Sequence, residues 1–155
     1  MKIIPATTPA HLSASRTLFR EYERFLSVDL CFQAFEEELA GLPGKYAPPE
    51  GALLLALQDN DVCGCVALRK LEPGVCEMKR LYVKPGYRGR GLGRALAEAI
   101  IAEAKVKGYA VMRLDTLAQL AEAIRLYERL GFYKIAPYYQ NPLAGVSYWE
   151  LNLRN

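Results

Sequence analysis

The sequence lacks most features that place a chain in a protein class at a glance. It has one histidine and four cysteines in 155 residues, with no Cys-x-x-Cys pair, so a zinc site is not expected. No apolar run approaches the roughly 20 residues of a membrane span, and the N-terminus lacks the charged and then apolar pattern of a signal peptide. We therefore expect a cytoplasmic, soluble protein that binds no metal and no membrane.

The chain also lacks an excess of charge of one sign. A net charge of +3 is too small to indicate a nucleic-acid partner. The basic residues are nevertheless concentrated in one short stretch, which suits a ligand with several phosphates, although a solvated basic face is the alternative. These residues are Lys79, Arg80, Lys84, Arg88, Arg90 and Arg94.

What the chain has is enough apolar sequence for one core. With 52% hydrophobic and 24% charged residues in 155 positions, we expect a single domain spanning residues 1–155. Cys63 and Cys65 lie two apart in a predicted strand, and alternation places them on one face as small buried thiols.

Hydrophobic periodicity and turn residues predict a mixed order of elements, β-α-α-β-β-β-α-β-α-β-β. The predicted strands cover residues 2–4, 52–57, 62–70, 75–83, 111–115, 133–136 and 146–152, and the predicted helices cover residues 9–26, a short segment before Pro43, a segment from Leu92 to about Gly108, and residues 119–130. Short turns join the strands between residues 52 and 83, which predicts an antiparallel meander. The helix between strands 75–83 and 111–115 predicts a parallel β-α-β unit. The expected fold class is therefore α/β, in the α+β sense of a mixed sheet flanked by helices.

The stretch after the strand at residues 75–83 carries the strongest functional signal. Pro85-Gly86 ends the strand, and Gly89, Gly91 and Gly93 lead into a helix. Glycines let backbone N–H groups approach an anion closely, and the helix N-terminus adds a partial positive charge. The stretch is therefore predicted to bind phosphate.

The spacing of the glycines distinguishes between known phosphate loops. A P-loop would need Lys and a hydroxyl residue after its last glycine, and a dinucleotide fingerprint would need G-x-G-x-x-G; neither is present. The pattern Arg88-x-x-Gly91-x-Gly93 resembles the signature of the GCN5-related N-acetyltransferase (GNAT) family. The resemblance extends from about Cys76 to Phe132 and includes Leu126-Tyr127-Glu128-Arg129-Leu130-Gly131-Phe132.

The resemblance implies the acyl-CoA N-acyltransferase fold and acetyl-CoA as co-substrate. Backbone N–H groups of the loop would hold the pyrophosphate, and the pantetheine arm would pair with the preceding strand where it separates from its neighbour. In the family that strand carries a bulge, and one N–H, at Leu81 or Tyr82 here, would face the thioester oxygen. The implied cofactor-binding residues are Leu81, Tyr82, Val83, Arg88, Gly89, Arg90, Gly91, Leu92, Gly93 and Arg94.

Tyr127 is the catalytic acid that the resemblance implies, protonating the departing thiolate. Its position in an apolar helical stripe is equally typical of a tyrosine that only packs. Leu120 stands where many family members have an asparagine that contacts the cofactor, so that contact is missing or replaced.

Glu77 is the candidate base, because some branches of the family keep a glutamate at the matching place. Ideal alternation places Glu77 with Lys79, Leu81 and Val83 on one face, although a bulge would change the phase after it. The alternatives are a surface or ion-paired glutamate, with Lys79 or Arg113 as its partner, and a water chain as the base.

In the family, two connections commonly cover the acceptor site. Here they offer aromatic walls for a small amine and an acidic group for its charge. The implied substrate-binding residues are Asp29, Phe32, Phe35, Tyr138 and Tyr139, and plain packing is their alternative role.

The resemblance thus implies direct acetyl transfer to a small amine or amino acid. The alternatives are a protein N-terminal or lysine acetyltransferase, which an open acidic groove would favour, and a non-catalytic acyl-CoA sensor. An exposed sheet edge near the last hairpin makes a homodimer plausible.

Overall fold

The structure is a computed structural model that describes residues 1–30 and 33–154. Its order of elements is the predicted one. The strands are β1 Lys2–Pro5, β2 Ala52–Gln58, β3 Asp61–Glu72, β4 Val75–Val83, β5 Val111–Leu117, β6 Tyr133–Ile135 and β7 Val146–Asn152. The helices are α1 Pro9–Leu26, α2 Phe35–Ala40, α3 Leu92–Val106 and α4 Ala121–Leu130.

The strands form a seven-stranded mixed sheet in the order β1-β2-β3-β4-β5-β7-β6. Strands β1 to β4 are antiparallel neighbours, β4 and β5 are parallel, and β7 is antiparallel to both β5 and β6. The predicted meander, parallel unit and final hairpin are therefore confirmed, as is the α/β class.

Each face of the sheet carries its own apolar cluster. On one face, Leu96 and Ile100 of α3 pack with residues such as Val66 and Met112, and α4 extends this cluster. On the other face, Phe19 of α1 and Phe35 of α2 pack with residues of β2 and β3. The sheet is thus covered on both sides, and the ends of its central strands lie between the two helical layers.

Local sequence accounts for where α1 begins. The Thr8 side chain accepts a hydrogen bond from the His11 backbone N–H at 3.1 Å, and the Thr8 N–H donates to His11 Nδ1 at 3.3 Å. Pro9 occupies the first turn, where its missing N–H costs nothing. The single histidine of the chain therefore caps a helix.

Bulges in β3 and β4 change the alternation that the sequence predicted. Leu57 pairs with Val62 but Ala56 pairs with Gly64, so Cys63 is an extra residue. As a result Cys63 and Cys65 lie on opposite faces of the sheet, in different clusters, and their predicted shared face is wrong. Both thiols are buried, as predicted.

The second bulge lies in β4, where Tyr82 pairs with Cys65 but Lys79 pairs with Ala67. Arg80 at this point has a φ of 61°. Leu81 and Val83 consequently pack toward the cluster that contains α3, while Tyr82 packs into the cluster that contains α1. The shared face predicted by ideal alternation therefore ends at the bulge.

No helix among residues 1–30 and 33–154 has the length and apolar character needed to cross a bilayer. The same residues contain no cluster of three or more His, Cys, Asp or Glu side chains arranged to hold a metal ion.

Candidate active site

The candidate site begins where two parallel strands separate. β4 and β5 pair only at their first residues, from Val75 with Val111 to Glu77 with Arg113. Beyond Glu77, β5 continues beside β7 as far as Leu117, whereas the facing edge of β4 has no strand partner in the described part of the chain. The separation leaves backbone groups of β4 available to a ligand.

A large cavity occupies this gap. Its volume is about 1210 Å³, which is large enough for much of a coenzyme together with a small second ligand. One end is formed by the loop before α3, the middle by the free edge of β4 and by α4, and the other end by polar side chains of β4, β5 and the two covering connections. The cavity therefore joins the predicted phosphate loop to a separate polar region.

The loop end of the cavity is made of backbone. Gly89 and Gly91 have φ angles of 79° and 78°, in the region where glycine is favoured. A Cβ added at either glycine would meet no protein atom within 4 Å, so both face open space. The α3 N-cap is Gly91, which has no side-chain cap hydrogen bond, and the first backbone bond back to it comes from Ala95 at 3.0 Å. The N–H groups of the first turn of α3 are thus free to bind an anion, which fits a pyrophosphate.

Nine of the ten predicted cofactor-binding residues line this cavity, and Arg90 does not. The Arg90 guanidinium instead stands over the Tyr87 ring at 5.6 Å. Residue contact with the cofactor itself stays a prediction for all ten. The lining residues are Leu81, Tyr82, Val83, Arg88, Gly89, Gly91, Leu92, Gly93 and Arg94.

The basic side chains of this stretch have separate partners and do not form one cluster at the loop, and phosphate binding by Arg88, Arg90 and Arg94 stays a prediction. Arg88 donates to the Val83 carbonyl at 2.8 Å and lies over the Phe25 ring at 4.4 Å, so it holds the loop against α1. Arg94 lies 3.6 Å from Glu98 on the same helix. Arg80 is buried and forms an ion pair with Glu38, and it also lines part of the cavity.

That ion pair supports the bulge. Arg80 donates two hydrogen bonds to the Glu38 carboxylate, each at 2.9 Å, and its guanidinium stands over the Phe35 ring at 5.2 Å. Burial acts to raise the pKa of Glu38, but the hydrogen bond and charge of Arg80 outweigh it and lower that pKa. A positive φ costs a non-glycine residue roughly 1–2 kcal/mol, and this buried pair holds the strained residue in place.

Tyr127 of α4 lines the middle of the cavity and is 7% exposed. Its ring packs against Phe132 at 5.6 Å, as expected of a stripe residue. Its hydroxyl has no hydrogen-bond partner among the residues that the structure describes. Burial raises the pKa of Tyr127, so the phenol keeps its proton at neutral pH. Tyr127 therefore lines the cavity as a protonated phenol, and its role as the catalytic acid stays a prediction.

Glu77 is placed differently from a base that reaches a substrate. Its side chain is 1% exposed and does not line the cavity. One carboxylate oxygen accepts from Arg69 Nε at 2.7 Å, and the other accepts from the Tyr138 hydroxyl at 2.6 Å. This geometry favours the ion-paired alternative, with Arg69 as the partner in place of Lys79 or Arg113. The catalytic role of Glu77 stays a prediction.

The predicted substrate-binding residues that the structure describes do not line one aromatic pocket. Phe35 is a core residue, 1% exposed, beneath Arg80. Asp29 is exposed and does not line the cavity, and Phe32 lies outside the described residues. Tyr138 and Tyr139 stand behind the cavity wall, where their hydroxyls donate to Glu77 and Asp115.

The polar end of the cavity contains residues that sequence reasoning did not single out as a site. Asp115 of β5 accepts hydrogen bonds at Oδ2 from the Tyr139 hydroxyl and from Asn141 Nδ2, the latter at 2.9 Å. Lys79 donates to Gln33 Oε1 at 3.2 Å, and Gln33 Nε2 donates to the Tyr139 hydroxyl at 3.3 Å. Two sequence signals pointed here: Tyr139 is one of the predicted substrate-binding residues, and Asp115 stands near the carboxyl end of a strand parallel to β4, where ligand sites of such sheets gather.

The part of the wall at the missing family asparagine is also polar. Leu120 lines the cavity at the start of α4, and the adjacent Gln119 lines it too. Gln119 Nε2 donates to the Leu26 carbonyl at 2.9 Å, so this amide ties α4 to the end of α1. Leu120 thus replaces the asparagine of many family members, and the adjacent Gln119 binds the end of α1.

Comparison with known proteins agrees with this geometry. Residues 14–132 match the model of the Acetyltransferase (GNAT) family. An uncharacterized N-acetyltransferase of Schizosaccharomyces pombe is 43% identical over 147 residues, which cover 94% of this chain and 90% of that protein. N-acetylaspartate synthetase of Rattus norvegicus is 30% identical over 132 residues, which cover 84% of this chain and 43% of that protein. A putative acetyltransferase of Salmonella typhimurium, solved with its cofactor acetyl-CoA, superposes with a TM-score of 0.75 at 23% identity, covering 100% of this chain and 95% of that one.

The mixed sheet, in which β4 and β5 separate beside a glycine loop, is the fold of the acyl-CoA N-acyltransferases. The chain belongs to the GNAT family, and it is an N-acetyltransferase with an acetyl-CoA-binding fold.

Proposed function

We propose that the protein transfers the acetyl group of acetyl-CoA directly to the primary amine of a small molecule or amino acid. The observation that carries this proposal is the single cavity that connects the glycine loop, the free edge of β4, Tyr127 and a polar end region. Direct transfer requires both substrates to lie in one space with the reacting atoms in contact, and this cavity offers that space.

Three parts of the transfer would use groups on the cavity wall: cofactor binding, polarisation of the thioester and protonation of the thiolate. Acetyl-CoA supplies the acetyl group as a thioester. Backbone N–H groups from Gly89 to Arg94 would hold its pyrophosphate, and the N–H of Leu81 or Tyr82, beside the bulge at Arg80, would donate to the thioester oxygen as negative charge develops there.

Tyr127 would serve the departing sulfur. Tyr127 lines the cavity and its phenol keeps its proton at neutral pH, so in this proposal the hydroxyl donates a hydrogen bond and then the proton to the thiolate. The amine must lose one proton to become a nucleophile, and this proton leaves through a base or through water. Overall, an ammonium and the thioester give an amide, the coenzyme A thiol and one proton.

A small acceptor is supported by the polar end region. Its wall carries both signs of charge, from Lys79, Arg80 and Asp115, and therefore lacks the acidic character that a lysine-rich or N-terminal peptide would favour. The N-acetylaspartate synthetase relative also carries the name of a small acetylated amino acid.

Thiol release from acetyl-CoA in the presence of pooled amines and amino acids tests the proposal. We expect release that depends on one or a few small acceptors, and no release with peptides of matched N-termini. Tight binding of acetyl-CoA without release for any amine would indicate a sensor instead. Release with peptides alone would indicate a protein acetyltransferase.

A further inference from the structure

The polar end of the cavity holds two opposite charges that do not pair with each other. Lys79 enters from β4 and Asp115 from β5, on the two strands that separate at this point. Both residues line the same cavity wall. Both residues are half-buried. Because a partly desolvated charge gains from a counter-charge, two such groups lining one space favour a ligand that carries the complementary charges.

Lys79 has unused donor capacity. Its ammonium donates to Gln33 Oε1 at 3.2 Å, and no carboxylate forms an ion pair with it within residues 1–30 and 33–154. An ammonium has three donors, so two remain for a ligand. The neighbouring cation, Arg80, is occupied by its bidentate pair with Glu38, so of these two adjacent cations Lys79 is the one with donors left for a ligand.

Asp115 has unused acceptor capacity. Both of its hydrogen bonds, from the Tyr139 hydroxyl and Asn141 Nδ2, are accepted by Oδ2. Neither donor is a cation, so the negative charge of Asp115 is oriented by neutral groups and is not neutralised. Oδ1 accepts no hydrogen bond from the described residues, and it can accept one from an ammonium.

The two charges are held at opposite ends of one hydrogen-bond chain. Gln33 connects them, because it accepts from Lys79 at 3.2 Å and donates at 3.3 Å to the Tyr139 hydroxyl, which donates to Asp115. The chain fixes the direction of both side chains across the gap between β4 and β5. Such preorganisation is what a site needs to bind a ligand by its two ends.

From this arrangement we propose that the acceptor is a free amino acid, with Lys79 binding its carboxylate and Asp115 binding its ammonium group. This inference rests on the proposed function and narrows its substrate class. Asp115 would hold the amine near Tyr127 and the free edge of β4, where the thioester would lie. A primary amine without a carboxylate would leave Lys79 without a counterion and would bind more weakly.

The test compares acceptors that differ only at the carboxylate. The probes are free amino acids, their carboxamides and their decarboxylated amines, used with the wild-type protein and with the variants Lys79→Met and Asp115→Asn. For wild type we expect kcat/KM to be about 10- to 100-fold higher for the amino acid than for its carboxamide, the range of a charge-assisted hydrogen bond. Lys79→Met should abolish this preference and leave the KM for acetyl-CoA unchanged, while Lys79→Arg should restore part of it.

Asp115→Asn should weaken the binding of every amine substrate by a similar factor, because it removes the carboxylate charge that would bind the ammonium group common to all of them. The matched control is Lys70→Met, which removes an exposed lysine of β3 that is paired with Glu50 and should change neither binding nor turnover. Calorimetric binding of the amino acids to the coenzyme A complex provides a readout that does not depend on turnover.

The outcomes separate the two proposals. Two results would overturn the assignment of Lys79 and leave the acetyltransferase reaction intact. The first is turnover of amines with no preference for those that carry a carboxylate. The second is an equal loss of kcat/KM for the amino acid and its carboxamide in Lys79→Met. Carboxylate-dependent binding with no thiol release would support the amino-acid site and contradict the proposed reaction. The absence of both binding and release for all amino acids would overturn the inference.

Discussion

The two ends of the cavity are built from different parts of the chain. The loop end uses backbone N–H groups presented by Gly89, Gly91 and the first turn of α3. The acceptor end uses the side chains of Lys79, Asp115 and their hydrogen-bonded neighbours, which come from four separate segments. A backbone site depends on local conformation, whereas a side-chain site depends on long-range packing, so the two ends should respond differently to substitution.

The largest effect is expected from a change in the backbone of the loop end. Gly91→Val places a β-branched residue at a φ of 78° and directs a side chain into the space proposed for the pyrophosphate. Coenzyme A affinity, measured by calorimetry, should fall at least 100-fold. Gly86→Ala is the control, because Gly86 has no positive φ and no atom within 4 Å of an added Cβ. Undiminished affinity in Gly91→Val would remove the backbone account of this end.

The middle of the cavity should respond in rate and not in binding. Tyr127→Phe removes the hydroxyl of Tyr127 but keeps the ring that packs on Phe132. Because proton transfer by a positioned group contributes about 10²–10⁴-fold, kcat should fall by about this range while coenzyme A affinity stays the same. A kcat equal to that of wild type would leave Tyr127 with a packing role only.

A substitution at Glu77, which lies behind the acceptor end, distinguishes a structural role of this residue from a role as the catalytic base. Glu77→Gln would weaken a buried pair with Arg69 and should lower the free energy of unfolding by about 1–3 kcal/mol, measured by urea denaturation. We expect kcat to change no more than about threefold, because the carboxylate does not line the cavity. A loss of 100-fold or more in kcat, with a shifted pH profile and normal stability, would instead establish Glu77 as the base.

At the acceptor end, pH should change ligand affinity less than the substitutions at the loop and at Tyr127 change binding or rate. Burial, followed by the charges of Arg80 and Arg69, lowers the pKa of Lys79 to about 8. The carboxylates of Glu77 and Glu38 act in the opposite direction but do not outweigh this lowering. Above that pH the free protein loses the Lys79 charge, so a ligand held by its carboxylate should bind more weakly as pH rises. The N-acetyl product of the best acceptor has no amine to titrate, and its affinity should fall about tenfold from pH 7 to pH 9.

Lys79→Met provides the control for the pH effect, since it should bind the product weakly at both pH values. A pH-independent affinity in wild type would show that the product carboxylate lies elsewhere.

The contrast between the two ends also explains what could be predicted from the sequence. The order of elements and the loop follow from local signals, because periodicity, caps and glycine spacing act within a few residues. Arg80 shows the limit: alternation alone does not reveal that a bulge will turn this cation away from the loop and into a buried pair with Glu38, 42 residues away. Asp115 and Lys79 were not recognised as a pair for the same reason, since only the separation of β4 and β5 brings them to one cavity. The placement of Glu77 beside Arg69 depends likewise on strand register.

A crystal structure with coenzyme A and the acetylated acceptor tests the central claim most directly. The account predicts the pyrophosphate against the N–H groups of Gly89 to Arg94, the sulfur in the gap between β4 and β5 beside Tyr127, and the acceptor between Lys79 and Asp115. A cofactor bound outside the gap, or an acceptor that contacts neither Lys79 nor Asp115, would contradict it.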